Sequence, residues 1–278
     1  MKTALVSFLY PKARPYWPDA FQSITRQSDP DFDTIVVNDN FGTIEHAEKV
    51  RILDNVQALS PLALRQHVFN ILLDEGYDLL ISLDSDDTMS ADRVEKTKKA
   101  HKDYPEVAFY YSDLHDMADP EKHFFEVPDS IHDIKDIFFS NCMGLSHMSL
   151  NLRFLRQTIG RFFFPENVIA LDWYLAASFL LSGFSGQKTQ GLTYYRLYDD
   201  NLAGKTSEAT FEKALRILTV KISHYEAIES LIKDQKYKVA CALELTRLKA
   251  LLNGPESVLK ASLCNRKPDA TNHWWAGY

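Results

Sequence analysis

At 278 residues, 45% hydrophobic and 25% charged, the chain can bury a full core as one large domain or a domain with an appendage. Its formal net charge of -7 and the lack of any Lys/Arg block argue against nucleic acid as a partner. Cys142, Cys241 and Cys264 are odd in number and widely spaced, so they suggest neither a disulfide framework nor a zinc site, and a reducing, cytoplasmic compartment fits.

In chain order, strand and helix alternate. Residues 3–10 predict a first strand ending at Pro11, with no small-residue cleavage site that would mark a signal peptide. Residues 16–27 predict a helix with Trp17, Ala20, Phe21 and Ile24 as its inner stripe and Asp19 in its first turn. A second strand at 33–40 ends on polar residues, and 44–54 reads as a helix. The next helix, 63–75, carries Leu64, Val68, Ile71 and Leu72 on one face, with Gly76 at its C-terminal end. Ser90 is the candidate N-cap of a helix over 92–103, and 107–113 reads as a strand finishing on Asp113. The longest apolar stretch, around Tyr174 to Leu181, is far too short to cross a bilayer.

The stretch around which the rest is organised is Leu79-Leu80-Ile81-Ser82-Leu83, a buried-strand pattern that breaks off on Asp84-Ser85-Asp86-Asp87. With helices on either side, the three carboxylates fall at the carboxyl end of a central strand, where open α/β sheets bind ligands. Such a cluster repels itself, and a hard divalent cation with oxygen ligands relieves that; the bland alternative is a solvated turn that caps the next helix. No Gly-x-Gly-x-x-Gly follows the first strand and no Gly-x-x-x-x-Gly-Lys-Ser/Thr occurs, which disfavours a dinucleotide fold and a P-loop ATPase.

Five segments in this order resemble the family-2 glycosyltransferases of the GT-A fold. They are the N-terminal strand and helix with Ile35-Val36-Val37-Asn38-Asp39-Asn40; Ala63-Leu64-Arg65-Gln66; Leu83-Asp84-Ser85-Asp86-Asp87; Ala170-Leu171-Asp172-Trp173-Tyr174-Leu175; and Tyr195-Arg196-Leu197-Tyr198-Asp199-Asp200-Asn201-Leu202-Ala203-Gly204. The resemblance covers roughly residues 1–204. It implies an α/β catalytic domain there, a nucleotide-binding, mixed but mostly parallel sheet flanked by helices, with residues 205–278 as a helical C-terminal extension. The implied activity is a metal-dependent, inverting transfer of a sugar from a nucleotide-sugar, a UDP-sugar first, to a hydroxyl of a glycan or lipid-linked acceptor, as in polysaccharide biosynthesis.

Residue by residue, the resemblance implies that Asp39 accepts a hydrogen bond from the donor's base, a turn-initiating Asp being the alternative. Asp84 contacts the ribose side of the donor, Asp86 ligates manganese or magnesium, and Asp87 is a second ligand or a support. Arg65 contacts phosphate or base, unless it is a surface arginine. Asp172 is the general base, or else the N-cap of the apolar helix that follows it; its apolar neighbours Ile169, Ala170, Leu171 and Trp173 would raise its basicity. Leu171 stands where many members have an acid, and Tyr198 where they often have a His. Any diphosphate contact then falls to Arg196, Tyr198 or Asp199, with Arg196 favoured by its fork of donors. The acceptor-pocket candidates are Asp113, His147 and Trp173; for His147 a structural role, and for Trp173 core packing, are the alternatives.

Residues 115–136, charged and carrying Pro120 and Pro128, read as a surface insertion. Beyond Gly204, Thr206 and Ser207 precede a helical pattern of Phe211, Leu215, Leu218, Ile222, Tyr225 and Ile228, and a second helix spans 237–252. These helices pack on a core, or alternatively offer a face for dimerisation or peripheral membrane association. The aromatic tail at 272–278 either docks or anchors to a partner or membrane. Two rivals to the glycosyltransferase reading are a sugar-nucleotide nucleotidylyltransferase, whose Gly-rich signature is missing, and a non-catalytic nucleotide-sugar binder or scaffold.

Overall fold

The computed structural model describes residues 1–44, 48, 50–197, 211–259 and 273–275, the side chain at 213 excepted. It contains two compact units: Met1–Ile131 with Met143–Phe164 and Ser185–Arg196, and His132–Cys142 with Pro165–Phe184 and the described part of 197–278.

The first unit is built on a ten-stranded sheet. Along its main path the order is β3 (Arg51–Asp54), β2 (Asp33–Asn38), β1 (Thr3–Leu9), β4 (Leu79–Ser82), β9 (Met148–Leu150), β6 (Phe109–Asp116), β10 (Gly186–Tyr195) and β5 (Thr88–Met89). β7 (Asp119–Phe125) pairs with β6, and β8 (Ser130–Ile131) with β10. The long pairings, β1 with β2 and β6 with β10, are parallel, whereas β9 runs antiparallel to both β4 and β6. β1 is buried along its whole length and β4 likewise, as strands covered on both faces require.

Helices α1 (Trp17–Thr25), α2 (Pro61–Asp74), α3 (Arg93–Asp103) and α4 (Leu152–Thr158) belong to this unit. α1 buries the predicted stripe, Trp17, Ala20, Phe21 and Ile24, in a core shared with Leu5, Val36 and Ile81. α2 begins with Ser60 accepting from Ala63 N and ends ahead of Gly76, whose φ of +78° suits a residue without Cβ.

Two expectations are corrected. Within the predicted helix at 44–54, Arg51–Asp54 forms the edge strand β3, paired in parallel with β2. Ser90 is not the cap of α3: the N-cap position falls on Asp92, while the Ser90 hydroxyl accepts from Leu192 N at 3.0 Å and donates to Asp92 Oδ1 at 2.7 Å. The 115–136 segment is exposed along Asp119–His123, as a surface insertion would be, and it is also tied into the sheet through β7 and β8.

The second unit is helical, with α5 (Leu171–Leu181), α6 (Phe211–Ile228) and α7 (Gln235–Leu252). α5 is apolar all round, and most of it is buried, Leu171, Trp173, Leu175 and Phe179 included. Trp173 stacks on His224 of α6, ring centroids 3.7 Å apart, and gives its indole N–H to Ile137 O at 2.6 Å. Tyr225 donates to Phe138 O at 3.0 Å. These bonds explain why residues 132–142 and 165–184 cluster with the C-terminal helices. In the tail, Trp274 docks as a two-way backbone bridge to Asn141, 2.8 Å in each direction. No described helix is long and apolar enough to cross a membrane. The expected caps Thr206 and Ser207 lie outside the described residues, as do Tyr198, Asp199 and Gly204.

Candidate active site

In the first unit the sequence of β4 dictates the site. Leu79 to Leu83 are buried, and the chain must turn where the carboxylates begin. Leu83 is fixed on both sides, its N–H to Val6 O at 3.1 Å and its carbonyl accepting from Ser7 Oγ at 2.6 Å. The turn then closes with Asp87 N on Asp84 O at 3.1 Å, and Ser146 Oγ accepts from Asp84 N at 3.1 Å. Asp84 and Asp86 are half-buried, whereas Asp87 is 1% exposed.

Two arginines brace this turn. Arg93, from the first residue of α3, is fully buried and donates from Nη2 to Ser82 O at 2.8 Å. Burial pushes its guanidinium down to about 9, and the charges of Asp87 and Asp84 pull it back up. Arg196, just past β10, gives its backbone N–H to Asp87 Oδ1 at 2.9 Å and its Nε–H to Asp86 O at 2.8 Å. Its Nη2 reaches Asp19 Oδ2 of α1 at 2.8 Å, and its guanidinium lies 5.0 Å from the Tyr16 ring centre. Gly191 permits the approach of α3 to β10, because a Cβ there would sit 2.9 Å from Arg93 Cα.

The carboxylates nevertheless remain under strain from one another. Burial first, then Asp86, raises Asp84 to about 6. Burial, Asp86 and Asp84 hold Asp87 well above the usual carboxylate range. Asp87 Oδ2 and Ser85 Oγ are buried and meet no partner in hydrogen-bonding geometry. An oxygen-only donor set with excess negative charge has the chemistry for a hard divalent cation. Among the described residues no three His, Cys, Asp or Glu side chains form a metal-holding group, so such a cation would take most of its ligands from substrate and water.

Of the other predicted residues, several gather around this turn. Arg65 on α2 lies 4.7 Å above the Phe8 ring centre and close enough to Asp84 to favour its charged form. Asp39, at the end of β2, keeps its backbone N–H on Leu9 O at 2.8 Å, and its Oδ1 accepts from Asn55 at 2.8 Å and Asn40 at 3.2 Å. Asn40 adopts φ +61°, so the turn-forming role and an available carboxylate coexist at this strand end.

The acceptor-pocket candidates are placed differently. Asp113 pairs with Lys188 at 2.9 Å. His147 is fully buried, its Nε2 accepting from Gly144 N at 2.7 Å and its Nδ1 bonded to Ser112 O at 2.9 Å. That is the structural alternative. Trp173, in the second unit, is fully buried against His224, the core-packing alternative.

Asp172 sits in the first turn of α5 in the second unit, and the N-cap position falls on Ala170, correcting the cap assignment. Its Oδ1 accepts from Asn141 Nδ2 at 3.1 Å and from Trp173 N at 2.6 Å. Ile169, expected to desolvate it, is instead 55% exposed.

Sequence reasoning missed Arg93, Tyr10, Ser146 and Asn55. Arg93 carried a signal: an arginine directly inside a helix start that follows three acids. Tyr10 Oη lies 3.5 Å from Asp86 Oδ2, and Ser146, which meets the turn only through the fold, carried no local signal.

No protein-family model matches the chain, and no curated protein matches it by sequence. Solved structures match by fold. Residues 1–349 of TarS from S. aureus align with a TM-score of 0.55 at 13% identity, covering 91% of this chain and 73% of that one. The same protein in complex with UDP-GlcNAc aligns at 0.53, with 13% identity over 90% and 73%. The mannosyltransferase PcManGT from Pyrobaculum calidifontis, in complex with GDP-Man and Mn2+, aligns at 0.55, with 13% identity over 95% and 79%. With its mixed sheet and an acidic turn at the end of β4, the chain has the GT-A glycosyltransferase fold.

Proposed function

We propose that the chain is a glycosyltransferase that moves a sugar from a nucleotide-sugar, a UDP-sugar first, to a hydroxyl of a glycan or lipid-linked acceptor. The observation that carries this reading is the acidic turn Asp84–Asp87, which is braced by two arginines and retains an unpartnered carboxylate oxygen at the end of β4. Two fold neighbours are complexes with UDP-GlcNAc and with GDP-Man and Mn2+, which supports a donor of this class.

The residues divide the work by chemistry. Asp39 at the end of β2 accepts from the donor base, Arg65 supplies positive charge beside Asp84, and Asp84 meets the ribose side. Arg196 serves the diphosphate by exchanging its exposed partner Asp19 for phosphate oxygens, a swap that its fork of donors suits. Asp86 would ligate Mn2+ or Mg2+, with Asp87 as a second ligand or, through its bond to Arg196 N, as a support. Such an ion, when bound, supplies a Lewis acid that offsets the charge of the departing diphosphate.

Asp172 takes the proton of the acceptor hydroxyl, assigned from its place in the Leu171-Asp172-Trp173 segment. The hydroxyl oxygen then bonds the anomeric carbon from the face opposite the nucleotide, and the bond to the diphosphate breaks with its electron pair. Configuration inverts in this single displacement.

A thermal-shift panel of nucleoside diphosphates and their sugars, with and without Mn2+, tests the donor site. The expected outcome is a metal-dependent shift for one nucleotide, lost in Asp86→Ala. No shift with any nucleotide at saturating metal would leave the acidic turn a solvated loop and overturn the reading. Turnover that survives in Asp172→Asn would remove that residue as the base.

A further inference from the structure

A second cluster of ligating side chains lies on the hairpin of β6 and β7, formed by residues that the proposed transfer does not use. His115 on β6 and His123 on β7 are directly opposite in the antiparallel register, with ring centroids 4.4 Å apart and planes tilted by 46°. The register slips on both sides of this pair, so the hairpin is kinked where the two rings meet.

His115 is only 8% exposed, and its two nitrogens differ sharply. Nδ1 lies 2.5 Å from Pro120 O, which can only accept, so Nδ1 carries the hydrogen. Nε2 therefore presents a lone pair, yet it is buried with no hydrogen-bond partner. An imidazole fixed in one tautomer by a backbone carbonyl, with the other nitrogen bare, is the state of a metal-ligating histidine before the metal arrives. Without a ligand, that buried lone pair is a cost to the fold. His123 is exposed and can rotate to bring its own nitrogen to the same point. The Tyr194 ring, 6.3 Å from His115, closes one side.

The geometry points to a two-histidine site for a borderline transition ion of the Zn2+ or Cu2+ class, formed by His115 Nε2 and His123 and completed by water. Imidazole suits these ions, whereas the carboxylates of Asp84–Asp87 suit Mn2+ and Mg2+. The two sites therefore differ in donor chemistry as well as in residues. Because no third His, Cys, Asp or Glu joins the pair among the described residues, the ion keeps open positions and exchanges readily. Its structural effect is to tie β7 to β6 across the kink.

The test is a titration of the chelator-stripped full chain with Cu2+, read by electron paramagnetic resonance, and with Zn2+, read by thermal shift. The expected result is a Cu2+ signal split by two imidazole nitrogens and a stabilisation by Zn2+. Both should weaken at least about tenfold in His123→Ala, a change at an exposed position that leaves the core intact. Asp86→Ala should leave both unchanged. Retention of full affinity in His123→Ala, or loss in Asp86→Ala, would overturn the proposal. Either result is independent of whether the chain transfers a sugar.

Discussion

The most informative perturbation is Arg93→Met, which removes the cation behind the acidic turn while keeping an unbranched apolar stem of similar reach. Arg93 is wholly buried, gives a 2.8 Å hydrogen bond to Ser82 O, and faces Asp87 and Asp84 electrostatically. Without it, two carboxylates already raised by burial lose the buried cation that attracts them both, and Asp84 is left with Arg65. Removing one partner of a buried charge set costs roughly 3–5 kcal/mol. That is a large share of a stability of about 5–15 kcal/mol. Urea midpoints followed by circular dichroism measure the loss. The decisive arm is the double variant with Asp87→Asn, whose side-chain oxygen can still accept from Arg196 N. If Arg93 acts by charge, removing the Asp87 charge offsets part of the cost, with a coupling of about 0.5–3 kcal/mol. Single costs that add to within about 0.5 kcal/mol would show that Arg93 acts only by packing, and would refute the reasoning.

Other expectations follow from single contacts. Gly191→Ala places a Cβ 2.9 Å from the Arg93 backbone, so it should cost about 1–3 kcal/mol by the same urea assay; no loss would mean that α3 and β10 separate freely. Asn70→Ala deletes both side-chain bonds to the Phe162 backbone, at 2.9 and 3.0 Å, and should cost about 1–3 kcal/mol while increasing protease cutting near Phe163, which is 79% exposed. His224, pushed down to about 3 chiefly by burial, stays neutral in the folded chain where the unfolded chain would protonate it. Stability should therefore fall as pH drops below about 6.5, by at most about 1.4 kcal/mol per unit for this group. Asp84, raised to about 6, acts in the opposite sense over the acidic range, so the difference between wild type and His224→Leu isolates the histidine. Identical pH profiles for the two would exclude it as the cause.

What was legible in the sequence was what burial writes into it. β1 and β4 announce themselves because strands covered on both faces are largely apolar, β2 by its buried Ile35-Val36-Val37 centre, and α1 because its stripe has helical spacing. β3 did not, because an edge strand of four residues that is exposed or half-buried along its length carries no pattern to read. β10 was hidden for another reason. Gln187, Lys188, Thr189 and Gln190 look like a loop, yet Lys188 is held in the sheet by Asp113 and the chain resumes its pairing at Leu192 after an irregularity. Such strands are specified by partners distant in sequence, which no local window contains.

The candidate site divides along the same line. The three acids could be read because an abrupt stop from apolar to acidic residues is a local event. Their counter-charges were harder to assign, since Arg93 reads locally as an ordinary first-turn helix residue and Arg196, 103 positions further along the chain, is assigned by the resemblance to a diphosphate and not to the acids. Yet those arginines make the acids usable. A cluster with no internal cation would relieve itself by taking up protons, and a protonated carboxyl is a poor ligand for metal or donor. Arg93 limits that tendency at Asp84 from within the core, and Arg196 fixes the turn's shape through Asp87 while its other end rests on the exposed Asp19. On the proposed function, a site arranged this way would keep its charge for the donor and hold its shape when the donor binds, because the bond that would exchange is the solvent-facing Arg196–Asp19 pair.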